Sequence, residues 1–348
     1  DDRQIYVKIF LRTLWISLVV TLTCLLLAFP VSYLLATLPL RISNILMVMV
    51  NKTAFGFFAA IFTVLIWASF MLVTRLSLQG NFTVEEIITL RLLPAFLIMS
   101  PFMFKLGVIP HKLRWPKAVI LMFGASAITP YLIAGGLVYA PVSDGGALAP
   151  GVLPFWTALA AYIIIGEKPS VLRWVGLVMI MGGAMVVGLW QILMGTGDGS
   201  WKGHIMFLAG AGIWAVHSVF FKQSGLSPTQ ALVIGTFWGT VFFVPVLFLT
   251  GNVSFETVGV QNIIVMIILQ SFVMGIFAML LFSYAVQFLG ASETAAFGAL
   301  IPIISLIGGV VLLNETVPAF KLAGIVVVSI GVFLASGLAD KLKNKSVS

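Results

Sequence analysis

Charge is scarce in this sequence of 348 residues: Asp, Glu, Lys and Arg make up 9%, against 61% hydrophobic residues. That balance excludes a water-facing globule, because so apolar a chain cannot hide its surface inside one. A single cysteine, Cys24, excludes an intramolecular disulfide. The three histidines, His111, His204 and His217, are scattered and form no His-x-x-x-His or His-Glu-x-x-His pair, so no metal site is expected. There is no Gly-x-x-x-x-Gly-Lys-Ser/Thr phosphate loop, hence no expected consumption of ATP by this chain. No acid, base and nucleophile cluster to suggest an embedded enzyme, and no cofactor is expected.

What the sequence has in abundance is apolar runs of about 20 residues, the length that crosses a bilayer, and a mean hydropathy of +1.15. In hydrocarbon every backbone polar group must be satisfied within the segment or by a closed barrel. The runs are continuous rather than alternating, which selects helices. The expected class is an all-α polytopic membrane protein. In that setting the net charge of +8 reads as Lys and Arg gathered on cytoplasmic loops, not as a nucleic-acid surface.

The chain also says one thing twice. Pro154, Glu167 and Gly176 return as Pro302, Glu315 and Gly324, each shifted by 148, with the same internal spacings of 13 and 9. Upstream, Ser126 and Tyr139-Ala140 return as Ser271 and Tyr284-Ala285. Gly56, Ile66-Trp67-Ala68 and Arg75 return as Gly203, Ile213-Trp214-Ala215 and Lys222. The first copy (residues 51–195) reads as helices at about 54–74, 84–104, 118–138, 145–165 and 171–192. The second (196–348) reads as helices at about 203–221, 229–250, 261–284, 292–313 and 318–338, followed by a basic tail. Thr83 and Glu86 have the spacing of a capping box, which makes Glu85 and Glu86 helix-start residues.

Loop charges orient the ten helices. With Asn51-Lys52 inside, the inner loops and tail collect Lys52, Lys105, Lys112, Arg114, Lys117, Lys168, Arg173, Lys222, Lys341, Lys343 and Lys345, and the outer loops only Arg75, Lys202 and Lys321. Five spans is an odd number, so the second copy enters the membrane upside down. An inverted repeat can exchange conformations between its halves and open a midplane site to either side in turn. This points to a secondary transporter working by alternating access. The other readings are a membrane channel or a scaffold without coupled transport. Expected partners are a small-molecule substrate, the bilayer and protons, with a homodimer as an open state of assembly.

Residues 1–50 have no partner in the repeat. They run apolar from Leu14 to Leu38, long enough for one more span, with Pro30 at a kink position. The stretch from Arg12 to Ala36 resembles part of a membrane subunit of ABC-type polyamine importers, without that family's ATPase-docking loop. A fusion or fragment junction is therefore expected near residue 50.

Residues 52 to 338 resemble paired EamA domains of the drug/metabolite transporter superfamily. The resemblance rests on the two endings, Pro154 to Gly166-Glu167 to Gly176 and Pro302 to Asn314-Glu315 to Gly324, with Asn314 in place of the usual Gly. Trp67 and Trp214 in the first helix of each half and Arg91 in the second helix add to it. It implies ten helices, secondary transport and often efflux of amino acids or other small metabolites across the cytoplasmic membrane of a bacterium. It also implies that the first four helices of each half line a central cavity while the fifth and tenth are peripheral.

Eight residues are candidates for substrate binding or coupling. Arg91 lies about two turns inside its helix, where a charge costs roughly 2.5–3.5 kcal/mol at the centre; it either snorkels outward or faces a cavity and holds an anionic group or an acid. His217 shares a helix face with Trp214 and Phe221 and reads as the one intramembrane histidine, either structural or a proton carrier. Glu293, near a helix start, is either favoured by the helix dipole or part of the pathway. Gln270 is a buried amide that needs a helix or a ligand as partner. Trp67, Trp156, Trp214 and Tyr131 are packing residues, interface anchors or cavity walls. Asp144 is expected in a short outer loop, solvated, and Glu167 and Glu315 are expected to do structural work at helix ends.

Overall fold

The computed structural model describes residues 52–110, 113–193, 199–250, 252–289 and 291–338, without the side chains of residues 189–193, 287 and 291–293. The N-terminal segment and its expected junction lie outside the described residues. All contacts given below fall within the compact unit Gly56–Ser348.

The chain is an all-α polytopic membrane protein. Among the described residues the spans are α1 (Lys52–Gln79), α2 (Val84–Leu106), α3 (Trp115–Tyr139), α4 (Val142–Ile165), α5 (Val171–Gly188), α6 (Ser200–Ser224), α7 (Pro228–Leu249), α8 (Val260–Val286), α9 (Thr294–Leu313) and the shorter α10 (Ala319–Ala335). The first nine are long and apolar enough to cross a membrane. Their starts follow from local chemistry. Thr83 and Glu86 close the expected capping box on α2, and Ser227 and Gln230 close the corresponding one on α7. Buried Glu86 also accepts from the backbone N–H groups of Ser254 and Phe255, at 3.3 and 2.7 Å, which pins the loop before α8. Gly166 ends α4 in the left-handed region at φ 69°, and Asn314 ends α9 there at φ 54°. Asn is the side chain that tolerates this conformation best after Gly, so the departure from Gly at 314 keeps the same helix stop.

Three spans are locally unwound. π-helical turns occupy Gly124–Ile128 in α3, Gly239–Phe243 in α7 and Ile267–Phe277 in α8. The first two lie two residues before a proline, Pro130 and Pro245. A proline removes an N–H and frees the carbonyl four residues back. In α2 the same effect of Pro94 frees the carbonyl of Leu90, and the Ser271 hydroxyl of α8 donates there at 2.6 Å, also reaching the Arg91 carbonyl at 2.9 Å. Thr240 of α7 donates to the Leu92 carbonyl at 3.2 Å. The kink in α2 is thus stitched to both neighbouring unwound helices.

Packing shows how the copies are related. α5 lies along α10, α2 touches α7 and α8, α3 packs on α6 and α7, and α4 meets α9. A methyl group added to Gly183 would stand 2.6 Å from the Gly324 carbonyl oxygen, and one added to Gly331 would stand 2.8 Å from that of Gly176. These four glycines let two backbones touch, as small residues do between membrane helices. Since 176 + 148 = 324 and 183 + 148 = 331, exchanging the copies turns one contact into the other. The partner number falls as the first rises, so the helices run antiparallel. Homologous helices in antiparallel, self-exchanging contact are related by a two-fold axis across them, and the second repeat is inverted.

A sidedness test follows from this symmetry. Lys168 and Thr316 hold the same place in their repeats, 148 apart, and both are exposed. With Cys24 replaced by Ser, Lys168→Cys is expected to react with an impermeant thiol reagent only from the cytoplasmic side, and Thr316→Cys only from the outside. Labelling of both from one side would overturn the inversion.

Candidate functional site

Arg91 is held at the level of the unwound turns. Its guanidinium donates to the Gln270 amide oxygen at 3.4 Å and lies 5.2 Å over the Phe70 ring. Gln270 is fully buried and passes the connection on, its NH2 group donating to the Thr74 hydroxyl at 3.2 Å. One chain of side chains thus joins α2, α8 and α1. Among the described residues no carboxylate lies within ion-pair distance of Arg91.

Arg91 lines a cavity of about 50 Å³ together with residues of α2, α3, α6, α7 and α8. Arg91, Ser126, Trp214, His217, Thr236 and Gly275 stand on its wall. Trp214 meets Trp67 edge to face at 5.8 Å and His217 at 6.2 Å, and His217 stacks on Phe221. His217 is buried and has no hydrogen-bond partner among the described residues. Of the eight candidates, Arg91, His217 and Trp214 line the cavity directly, with Gln270 and Trp67 immediately behind. α5 and α10 contribute nothing to its wall.

The other three stand elsewhere. Trp156 of α4 packs against α6 at Gly212, its indole N–H buried without a partner among the described residues. Tyr131 donates to Glu85 at 3.2 Å near the start of α2 and packs on Phe243. The side chain of Glu293 lies outside the described residues. A larger hollow of about 340 Å³ opens beside Arg75 at the ends of α1, α2 and α3. The Arg75 guanidinium is taken up by the carbonyls of Leu137 and Val138, where a cation suits the C-terminal end of α3. Glu315 accepts from the N–H groups of Val142 and Ser143 at 2.7 and 3.2 Å, capping α4, whereas exposed Glu167 only approaches Lys222 at 3.8 Å.

Asp144 corrects the sequence reading. It is 0% exposed, not solvated, because α4 begins at Val142 rather than 145 and carries the residue into its first turn. Lys321, placed by sequence in an outer loop, is 4% exposed in the first turn of α10, with its ammonium 2.9 and 2.8 Å from the two Asp144 oxygens. His204 of α6 stands 2.8 Å away, Nε2 against Asp144 Oδ2. It too is buried, so His217 is not alone among histidines within the bundle. A signal for this cluster was available: Lys321 is Arg173 shifted by 148, and Ser143-Asp144 is matched by Ser292-Glu293 at 149. An acid and a base thus recur at corresponding helix starts.

A model of the EamA-like transporter family matches residues 54–189 and again 201–337. An uncharacterized transporter of Bacillus subtilis (strain 168), YyaM, is 25% identical over 264 residues, which cover 71% of this chain and 82% of that protein. A protein of known crystal structure, 20% identical, shares the fold with a TM-score of 0.56, over 84% of this chain and 98% of the other.

Proposed function

Because the chain belongs to the EamA-like transporter family, which its two matched segments show over most of its length, we propose that it is a secondary transporter that exports a small metabolite, an amino acid or a related compound, by alternating access. Residues 51–195 and 196–348 act as its two exchanging halves. The observation that carries this reading is the placement of Arg91. Arg91, its guanidinium free of any described carboxylate and held by Gln270, lines a cavity between the repeats that Trp214 and His217 also wall. Such a fork of donors fits a carboxylate, and the indole and imidazole faces fit an apolar or cationic remainder.

At about 50 Å³ the cavity has room for a few water molecules, whereas sites that hold small molecules run to roughly 300 Å³ and more. The described arrangement is a contracted one, and binding requires the halves to part. The unwound turns of α3, α7 and α8 are where that movement is absorbed, as π-bulges often mark functional positions. The protein works in a bacterial cytoplasmic membrane, with its basic loops inside.

The test is a flux screen in inverted vesicles, with amino acids and related metabolites offered with and without a pH gradient. A carrier shows saturation and counterflow for at least one of them. Flux that neither saturates nor supports counterflow would replace this reading by a channel.

A further inference from the structure

We propose that Asp144, Lys321 and His204 form a proton-operated latch that closes the outer end of the transporter by holding α10 of the second repeat against α4 of the first. The proposal rests on the carrier reading above, but its test needs no substrate, so either can fail alone.

The cluster joins three helices across the repeat boundary: Asp144 from α4 of the first half, Lys321 from α10 and His204 from α6 of the second. All three are first-turn or second-turn residues at the outer ends of their helices, and all are at least nine-tenths buried. Lys321 contacts both carboxylate oxygens, so it satisfies the charge of Asp144 by itself. His204 then needs to be only a neutral donor, its Nε2–H pointing at Oδ2, which leaves Nδ1 as a bare acceptor. Nδ1 is buried and has no hydrogen-bond partner among the described residues. That unpartnered ring nitrogen is the place for a proton.

A proton from the outer solution that binds Nδ1 makes His204 a cation on the same carboxylate. Two cations now share one anion in a buried site, and the surplus charge is expensive there. The imidazolium alone can neutralise Asp144, so Lys321 is the partner that leaves, and α10 parts from α4. Protonation thus passes the carboxylate from α10 to α6, and the outer end opens where α4 and α10 separate, the Asp144–His204 contact being kept. Acid outside would bias the carrier toward its outward-open form.

The other ionisable groups around the cluster are accounted for. Glu315 caps α4 at Val142 and Ser143. Lys202 of α6 lies over the Tyr139 ring at the end of α3, and Arg75 of α1 holds the Leu137 and Val138 carbonyls. The described side chains of α9 and of the outer half of α5 include no ionisable group against the cluster.

Spin labels on Val138→Cys and Leu322→Cys, both exposed positions at the outer ends of α3 and α10, with Cys24→Ser, read the opening as a distance distribution. In the full chain, a longer population is expected to grow between pH 7.5 and 5.5, the open-to-closed ratio changing by at most about tenfold per pH unit for one proton. His204→Gln keeps a donor toward Asp144 but takes no proton, and should hold the pH 7.5 distribution at both values. Asp144→Asn should show the longer distance at both. An unchanged distribution in the otherwise native chain overturns the latch without recourse to any variant. So does a His204→Gln response equal to that chain's, which would place the titration on Glu315 or elsewhere. Asp144→Asn remaining closed at both pH values would also end it. If His204→Gln does not elute as a folded species, His204→Asn takes its place.

Discussion

Arg91→Ala is expected to lower transport about 10- to 100-fold, with Arg91→Lys falling between it and the unaltered protein. A hydrogen bond between charged groups contributes about 1.5–3 kcal/mol, and 1.4 kcal/mol is a factor of ten in affinity. Removing the guanidinium deletes the cavity's cationic donor and leaves the buried Gln270 amide oxygen without its partner at 3.4 Å. Lysine restores a charge but neither the planar fork nor the stacking over Phe70. The measurement is initial flux in proteoliposomes over a range of substrate concentrations. Transport by Arg91→Ala at the unaltered rate would mean that the side chain only supports the α1–α2–α8 junction.

The second large effect concerns stability. Lys321→Met is expected to cost up to about 3–5 kcal/mol at neutral pH, because it leaves the buried carboxylate of Asp144 with His204 as its remaining described partner. The double variant Asp144→Asn/Lys321→Met should recover most of that loss. A neutral amide has no charge to compensate, and replacing both members of a buried pair is often nearly neutral. Thermal unfolding in detergent, followed for the single and double variants, decides it. If Lys321→Met melts with the unaltered protein, the pair is not a structural tie.

Much of the architecture was legible because it is written in period and repetition. The ten spans were found within a few residues, since each is one long apolar run. The inversion could be inferred from an odd span count and the loop charges. Arg91, His217, Trp214, Gln270 and Trp67 were picked as polar or aromatic residues standing where hydrocarbon makes them costly, and they meet around one cavity. Asp144 was lost through a three-residue error at the start of α4, enough to move it from a first turn into a loop. Its partner stands 177 residues away, and nothing local announces that pairing. The π-helical turns were equally hidden: prolines follow two of them, but α2 stays α-helical around Pro94, so a proline alone does not announce the wider turn.

The glycine crossing of α5 and α10 also governs leverage. Where backbones touch with no side chain between them, there is no rotamer to adjust and no slack to compress, so the crossing acts as a fulcrum. For a given rotation of one half against the other, displacement grows with distance from that point. Lys321 stands only three residues from Gly324 and so moves little, and any parting of the buried ions falls to the starts of α4 and α6, which carry Asp144 and His204 and lie off the crossing.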